Sequence, residues 1–207
     1  MQIIRYISPI LLSATLFFTG CDKGQNKSGW SDGEIALIEQ YSNEIMPLQV
    51  IDNESDSLSL RKRSLPLTKT EIESPYFTKL ISQMLLTVTN PENEGVGIAA
   101  PQVGISRKLI AVQRIDKESE PFEFFVNPQI IYKSEEQQNG WEGCLSVPGK
   151  RGNVKRHTKI VVEHNNIESF ELQQDTIEGF TAIIFQHEID HLNGILYIDR
   201  ADTLTIK

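Results

Sequence analysis

An α+β fold is the class that the sequence predicts, and three observations support it. Apolar residues recur at helical spacing near both ends of the chain, short β-type runs lie between these segments, and the runs follow one another mostly through short turns. Such hairpin-type connections favour an α+β domain over alternating β-α units. With 207 residues, of which 39% are hydrophobic and 23% charged, the chain can bury an ordinary core in one domain or at most two.

Charge and cysteine content exclude two classes of protein. The formal net charge is −8, the sequence pI is about 5.1, and no run of five basic residues occurs. We therefore expect no nucleic-acid partner, because a dedicated nucleic-acid binder needs a basic surface. The chain has only two cysteines, Cys21 and Cys144, which excludes a disulfide-rich secreted framework.

The first twenty residues have the pattern of a targeting segment. They contain no acidic residue and one early cation, Arg5. Their apolar stretch of about 14 residues is shorter than the roughly 20 that span a bilayer. Thr19, Gly20 and Cys21 resemble the processing box of bacterial lipoproteins, in which the cysteine is lipidated, although Phe18 stands where leucine is usual. We expect a signal peptide over 1–20 and an exported, membrane-anchored lipoprotein; the alternative is an unused leader and a cytoplasmic protein.

Residues 21–45 are expected to form a tether to the lipid anchor and one extra helix. The stretch 22–33 is polar and rich in glycine, as in flexible linkers. Apolar residues then recur at helical spacing until Pro47, which predicts a short helix. The polar stretch 53–63 predicts a loop.

The remaining chain, 46–207, is the predicted main domain. Ser74 and Pro75 predict the start of a helix, with the serine as N-cap and the proline at the first helical position. Asp175 and Glu178 resemble the capping box of a last helix that ends before Gly194. Strands are predicted between these helices, at 108–115, 122–127, 129–132 and in a hairpin over 159–172 that turns near residue 165.

The last predicted helix contains the pattern His-Glu-x-x-His. His187 and His191 are four residues apart, so they project from one helical face and can bind one metal ion, or they are merely two surface histidines. Glu188 lies beside them as a candidate base for activating water. The ordinary zinc proteases are disfavoured, because Tyr197 stands where a metzincin has its third histidine and no glutamate follows.

Two further segments could complete a site. Cys144 follows a glycine and stands two residues before a serine, and a thiolate with two imidazoles suits zinc or ferrous iron, although a lone cysteine is by default a small buried hydrophobe. The stretch 95–102 has glycines but no P-loop lysine, so we expect a tight backbone passage that brings Gln102 into a cleft. His157 and His164 lack partner spacing and are interpreted as surface residues.

Together, Gly-Val-Gly-Ile-Ala-Ala-Pro-Gln, Glu-Gly-Cys-Leu-Ser and Gln-His-Glu-Ile-Asp-His resemble the three motifs of the peptide deformylases, from about Met46 to Arg200. The resemblance implies antiparallel sheets packed around a central helix that carries the metal motif. It also implies one divalent metal ion per chain, with ferrous iron as the family's metal and zinc expected after maturation in air. The implied ligands are Cys144, His187 and His191.

The resemblance implies that Glu188 is the general base and acid, and that Gln102 and the backbone N–H of Leu145 bind the oxyanion. The implied reaction removes the formyl group from N-formylmethionyl peptides. The residues expected to border the substrate are Val96, Gly97, Glu142, Gly143, Arg151, Phe180, Ile183 and Ile184. Because a lipoprotein leader is unexpected on an enzyme of nascent chains, two alternatives stay open: a peptide- or metal-binding lipoprotein on a deformylase scaffold, and a hydrolase of another small amide.

Overall fold

The computed structural model describes residues 28–206, so the leader and Cys21 lie outside the described residues. Within that range, the helices are α1 (Asp32–Gln40), α2 (Glu54–Leu60), α3 (Lys69–Ile72), α4 (Pro75–Val88) and α5 (Gly179–Leu192). The strands are β1 (Gly97–Ala99), β2 (Leu109–Gln113), β3 (Phe122–Lys133), β4 (Gln137–Cys144), β5 (Val147–His157), β6 (Lys159–Asn165), β7 (Leu172–Glu178) and β8 (Thr203–Ile206). Short 3-10 turns cover Ala100–Val103 and Tyr197–Asp199.

These strands form two antiparallel sheets. The larger sheet has the order β1-β2-β3-β6-β7, and the smaller sheet has the order β4-β5-β8. Most paired strands are consecutive in the chain. The exceptions are β3, which pairs with β6 across the inserted β4–β5 hairpin, and β8, which joins β5 after α5. The α+β class and the antiparallel sheets predicted from the sequence are confirmed.

Helix α5 packs between the sheets and is buried around most of its circumference. Ile184, Phe185 and Ile189 belong to a buried cluster with side chains of β2, β3, β6 and β7. Polar residues of the helix, Glu188 and His191 among them, are buried as well, so protein covers the helix on nearly all sides. The histidines on α5 are therefore held by a rigid, buried element.

A second apolar core lies on the other side of β1 and β2. Phe77, Leu80, Met84 and Val88 of α4 are buried there, as their helical spacing predicts. Ser74 is the N-cap residue, but its hydroxyl donates to the carbonyl of Glu71 and does not cap the helix. The N-terminal residues Trp30 and Ile38 are buried in this same core.

The start of α5 differs from the sequence prediction. Asp175 belongs to β7, which continues to Glu178, and the helix begins at Gly179 with φ +63°. The full length of β7 pairs with β6, from Lys159 opposite Glu178 to Asn165 opposite Leu172. Strand pairing thus outweighs the local capping pattern. The hairpin also turns later than predicted, over residues 166–171.

Two other predictions were wrong. The stretch 53–63 contains α2, whose N-cap Asn53 accepts hydrogen bonds from two backbone N–H groups and whose Leu60 is fully buried. His164 is 7% exposed, packs edge-on against Phe125, and lies 3.2 Å from a carboxylate oxygen of Asp175. Helix α2 was not predicted because its sequence is mostly polar and only Leu60 is buried. His164 is buried because alternate residues of β6 face the core. Over residues 28–206, no helix is long and apolar enough to cross a membrane.

Candidate active site

Three elements deliver the three motifs to one place. The 3-10 turn after β1 carries Gln102, and the two-residue turn between β4 and β5 follows Cys144. Helix α5 carries His187 and His191, one turn apart. The chain therefore assembles the site from segments far apart in sequence, and each segment is anchored in a sheet or a buried helix.

Cys144, His187 and His191 form the candidate metal site. Their Sγ and ring nitrogen atoms all lie within 4.8 Å of one another, and Cys144 Sγ is 3.2 Å from His191 Nε2. His187 donates from Nδ1 to Glu142 at 2.8 Å, which leaves Nε2 available to a metal ion. Because zinc–sulfur and zinc–nitrogen bonds are about 2.0–2.3 Å long, ligand atoms up to about 4.3 Å apart can share one ion, and the Cys144–His191 pair lies well within that limit. The residues present fit a divalent metal.

Behind His187 lies a buried network of charges. Arg156 donates to both oxygens of Glu142, at 2.7 and 3.0 Å, and to Asp190 at 2.5 Å. Arg200 makes a paired contact with Asp190 at 2.6 and 2.7 Å. A partner on the second nitrogen of a ligating histidine fixes the orientation of the ring. The network therefore holds the His187 ring in the orientation that metal binding requires.

The network also sets the charge on Glu142. Burial alone would raise the pKa of this carboxyl, but the hydrogen bonds from Arg156 and His187 lower it to about 2. Glu142 is therefore ionised at neutral pH and stays a hydrogen-bond acceptor for His187. The sequence predicts that Glu142 borders the substrate; Glu142 lines the cavity described below and, in addition, orients His187.

Glu188 is the buried carboxyl beside the candidate ligands. Burial raises its pKa to about 7, which is suitable for a group that exchanges protons near neutral pH. A Cβ atom at Gly97 would lie 2.5 Å from Glu188 Oε1 and 2.9 Å from Ile184, so only glycine leaves room for the carboxyl. Among the described residues, Glu188 Oε2 and His191 Nδ1 are buried and have no hydrogen-bond partner. The first of these atoms is therefore available to a water molecule or a substrate.

Gln102 is held with its amide nitrogen toward the site. Its Oε1 accepts from the backbone N–H of Ala99 at 2.8 Å, so Nε2 faces Ser146 Oγ at 3.3 Å and Cys144 Sγ at 3.6 Å. The backbone carbonyl of Gln102 accepts a hydrogen bond from the backbone N–H of Gln49 at 2.8 Å. Gln102 is 2% exposed, and this pre-set donor costs little reorganisation when charge develops on a substrate oxygen.

A cavity of about 600 Å³ opens in front of these groups. The residues expected from the sequence that line it are Val96, Gly97, Gln102, Glu142, Gly143, Cys144, Leu145, Arg151, Phe180, Ile183, Ile184, His187 and Glu188. His191 lies deeper and is 1% exposed. Only the candidate lipidation residue, Cys21, lies outside the described residues.

Sequence reasoning missed several residues that shape the site. Arg156 and Asp190 build the charge network, Ser146 contacts Gln102, and Trp141 lines the mouth of the cavity. The ring of Tyr197 stacks on that of His187, with centroids 6.0 Å apart. Asp190 could have been suspected, because it lies within the histidine motif, whereas Arg156 carries no local signal.

This arrangement can hold a metal ion, accept a proton beside it, and offer an amide donor to a developing oxyanion. A water molecule and a carbonyl compound placed in the cavity would meet all three groups at once. The fold and the site therefore define the chain as a metal-dependent hydrolase.

Comparison with known proteins identifies which kind. The sequence model of the polypeptide deformylase family matches residues 47–207. A peptide deformylase of Leptospira biflexa is 40% identical over 148 residues, which is 68% of this chain and 81% of that protein. A peptide deformylase of Desulforudis audaxviator is 44% identical over 119 residues, 58% of this chain and 75% of that protein. The chain belongs to the peptide deformylase family.

Solved structures agree with this assignment. A class I type b peptide deformylase from Acinetobacter baumannii is 38% identical, with a TM-score of 0.67 over 75% of this chain and 98% of that chain. The peptide deformylase from Thermotoga maritima is 34% identical, with a TM-score of 0.67 over 77% of this chain and 99% of that chain. Deformylases use a divalent metal, and Cys144, His187 and His191 are the cluster suited to hold one.

Proposed function

We propose that this chain hydrolyses the formamide bond of N-formylmethionyl peptides, producing formate and a free amino terminus. The observation that carries the proposal is the buried Glu188 carboxyl beside the Cys144, His187 and His191 cluster, at the base of a cavity in a deformylase fold. Structures of the Acinetobacter baumannii deformylase hold a Met-Ala-Ser peptide and actinonin, which supports a peptide substrate for this chain.

The proposed roles follow from the geometry. Cys144, His187 and His191 would hold one divalent metal ion, which when bound supplies a Lewis acid that lowers the pKa of water toward neutrality. Glu188 takes the proton of the attacking water and returns it to the leaving amine. Gln102 Nε2 and the N–H of Leu145 donate to the oxyanion of the tetrahedral intermediate.

The cavity walls fit a methionyl side chain beside the formyl group. Ile183 and Ile184 are 8% and 4% exposed and lie one helical turn before His187, so they form an apolar wall next to the reacting centre. Val96, Gly97 and Gly143 border the peptide backbone. Arg151 and Phe180 lie at the open end, where later residues of the peptide would pass.

Release of formate from formyl-Met-Ala-Ser by the metal-loaded chain tests this function directly. Acetyl-Met-Ala-Ser is the matched control, because its extra methyl group must fit beside the buried Glu188. We expect hydrolysis of the formyl peptide alone. Equal hydrolysis of both peptides would indicate a general amide hydrolase, and hydrolysis of neither would indicate a binding protein on a deformylase scaffold; either result overturns the proposal.

The metal proposed for protein matured in air is zinc, with ferrous iron giving the faster enzyme when it is loaded without oxygen. A thiolate with two imidazoles accepts either ion, and zinc has the higher intrinsic affinity. Ferrous iron beside a thiolate is sensitive to oxygen, and oxidation of Cys144 would destroy the site. Elemental analysis of protein isolated from its own cells is the test, and a dominant iron content would contradict the proposal.

For the whole chain we propose a signal peptide over 1–20, an anchor segment and extra helix over 21–45, and the deformylase domain over 46–207. Thr19, Gly20 and Cys21 support cleavage before Cys21 and its lipidation, hence an exported, membrane-anchored enzyme. Intact-mass analysis of membrane fractions should find a lipidated chain beginning at Cys21. An unmodified chain that begins at Met1 would overturn the lipoprotein proposal and favour a cytoplasmic enzyme.

A further inference from the structure

The N-terminal residues 28–41 pack onto the domain as an ordered element, which we call the N-terminal clasp. The clasp lies before residue 47, where the match to the deformylase family begins. It consists of Trp30, the Ser31 cap and helix α1. Ile38 is fully buried, and its carbonyl accepts from Gln83 Nε2 of α4 at 2.7 Å. The clasp is thus bound to the domain through its core.

A charged cluster fixes the clasp to Arg107, in the short segment between the 3-10 turn and β2. Arg107 donates to both oxygens of Glu34, at 2.6 and 2.8 Å, and to Glu71 at 2.6 Å. Its guanidinium lies over the Trp30 ring at 5.3 Å, and the Trp30 Nε1 donates to Ser74 Oγ at 2.9 Å. Bidentate arginine–carboxylate contacts of this kind are directional and strong when partly buried. The position of Arg107 is therefore tied to the clasp.

Helix α1 of the clasp also packs directly on the 3-10 turn that contains Gln102. Gly104 ends the 3-10 turn that contains Gln102 and has φ +81°. Leu37 of α1 packs so closely on Gly104 that an added Cβ would lie 3.0 Å from Leu37 Cδ2. The clasp therefore contacts the backbone that follows Gln102 at two points: an apolar side chain packs on Gly104, and an ion cluster holds Arg107, three residues later and just before β2.

Gln102 lies two residues before Gly104, in the same 3-10 turn, and is buried. Its amide is aimed by the N–H of Ala99, but the backbone that carries it is positioned by the turn and by Gln49. We infer that the N-terminal clasp positions Gln102, so that Leu37 and Glu34 are positioning residues for the oxyanion donor. The inference rests on the proposed deformylase function and adds to it a role for a segment that precedes the family match.

The expected effect follows from the geometry of oxyanion stabilisation. Removal of one oxyanion donor typically lowers kcat by about 10²–10³-fold, and a displacement of about 1 Å can cost up to about 10²-fold. Loosening the turn without removing Gln102 should therefore cost less than deleting the donor. For Leu37→Ala we expect about a tenfold lower kcat with an unchanged KM.

A double-mutant cycle on the metal-loaded full chain tests the inference. Leu37→Ala and Glu34→Gln are each measured in the parent and in a Gln102→Ala background, with formyl-Met-Ala-Ser as substrate. If the clasp acts through Gln102, each variant lowers kcat in the parent but changes it by less than about twofold in the Gln102→Ala background. Equal fold-losses in both backgrounds would show a merely structural role and overturn the inference.

Two further variants keep the test specific. Glu39→Gln breaks the exposed ion pair of α1 with Lys79 and should leave kcat unchanged. Leu37→Met keeps the apolar volume and should restore most of the activity; if Leu37→Ala does not fold, Glu34→Gln carries the cycle. An unaltered chain that releases no formate would overturn the proposed function, whereas an active parent with unaffected clasp variants would overturn this inference alone.

Discussion

The floor and the rim of the cavity are built in opposite ways. The floor, formed by Glu142, His187 and Glu188 with His191 beneath them, is largely buried and is backed by the network of Arg156. The rim, formed by Val96, Trp141, Arg151 and Phe180, is exposed: Trp141 is 47% exposed and Phe180 56%. Chemistry needs one geometry, so Arg156 holds Glu142 and Glu142 in turn holds His187 by hydrogen bonds. Peptides of varied sequence need a tolerant surface, so the rim presents broad apolar side chains beside the cations Lys150 and Arg151.

The largest effect is expected from loss of a candidate metal ligand. His187→Ala and Cys144→Ala each remove one of three donors that no neighbouring residue replaces in the described structure. Both variants should lose bound metal together with activity. The fall in metal affinity should exceed the roughly 10–100-fold that is typical when a hydrogen-bond partner of a ligand is changed. Metal content per chain and turnover, measured on the same sample, check this. Full metal content in either variant would contradict the assigned ligand set.

A smaller loss of metal affinity is expected when Glu142, the hydrogen-bond partner of His187, is changed. Glu142→Gln keeps the shape of the side chain but removes the charge that pairs with Arg156 and accepts from His187. We expect metal affinity to fall by about 10–100-fold, as is typical when a partner of a ligating histidine is changed. Competition with a chelator measures it. Glu123→Gln, which alters a more exposed arginine pair, is the matched control and should leave metal affinity unchanged.

Changes at the rim should affect substrate affinity and little else. Phe180→Ala removes an exposed ring at the cavity mouth without touching the candidate ligands. We expect KM to rise a few-fold, on the order of 1 kcal/mol of lost apolar contact, with kcat within about twofold. Steady-state kinetics on formyl peptides of two lengths separate the constants. A large fall in kcat would show that the rim also shapes the floor.

The smallest effect concerns acid stability and lies in the N-terminal clasp, outside both regions. Burial would raise the pKa of Glu34, but hydrogen bonds from Arg107 and Ser31 lower it below its ordinary value. A lowered folded-state pKa contributes stability that is present above the unfolded-state pKa and lost as the pH falls through the folded-state pKa. Glu34→Gln should therefore be less stable than the parent at pH 7, and the gap in the free energy of unfolding should shrink as the pH falls below about 4.3, the ordinary pKa of glutamate. Urea unfolding from pH 3 to 7 measures the gap, and a constant gap would contradict the assigned ionisation.

The same contrast explains what the sequence could predict. The spacing of His187 and His191 is local to one helix, so the metal motif could be interpreted without a structure. Arg156 reaches Glu142 over 14 residues and Asp190 over 34, and no local pattern reports such a contact. Strand β7 was mistaken for the start of α5 because its capping pattern is local and its pairing with β6 is not. For residues 21–45 the sequence predicts a tether and one helix, and α1 lies within this stretch; nothing in its composition shows that Arg107 would meet Glu34.

The variant Glu188→Gln tests most directly the claim that the floor separates metal holding from proton transfer. The amide keeps the shape of the buried side chain and leaves Cys144, His187 and His191 unchanged, but it cannot accept a proton. The account predicts full metal content with turnover of formyl-Met-Ala-Ser lowered by at least about 10²-fold, the lower bound typical of a general base. Turnover at the parent rate would contradict it, because Glu188 would then not be the base.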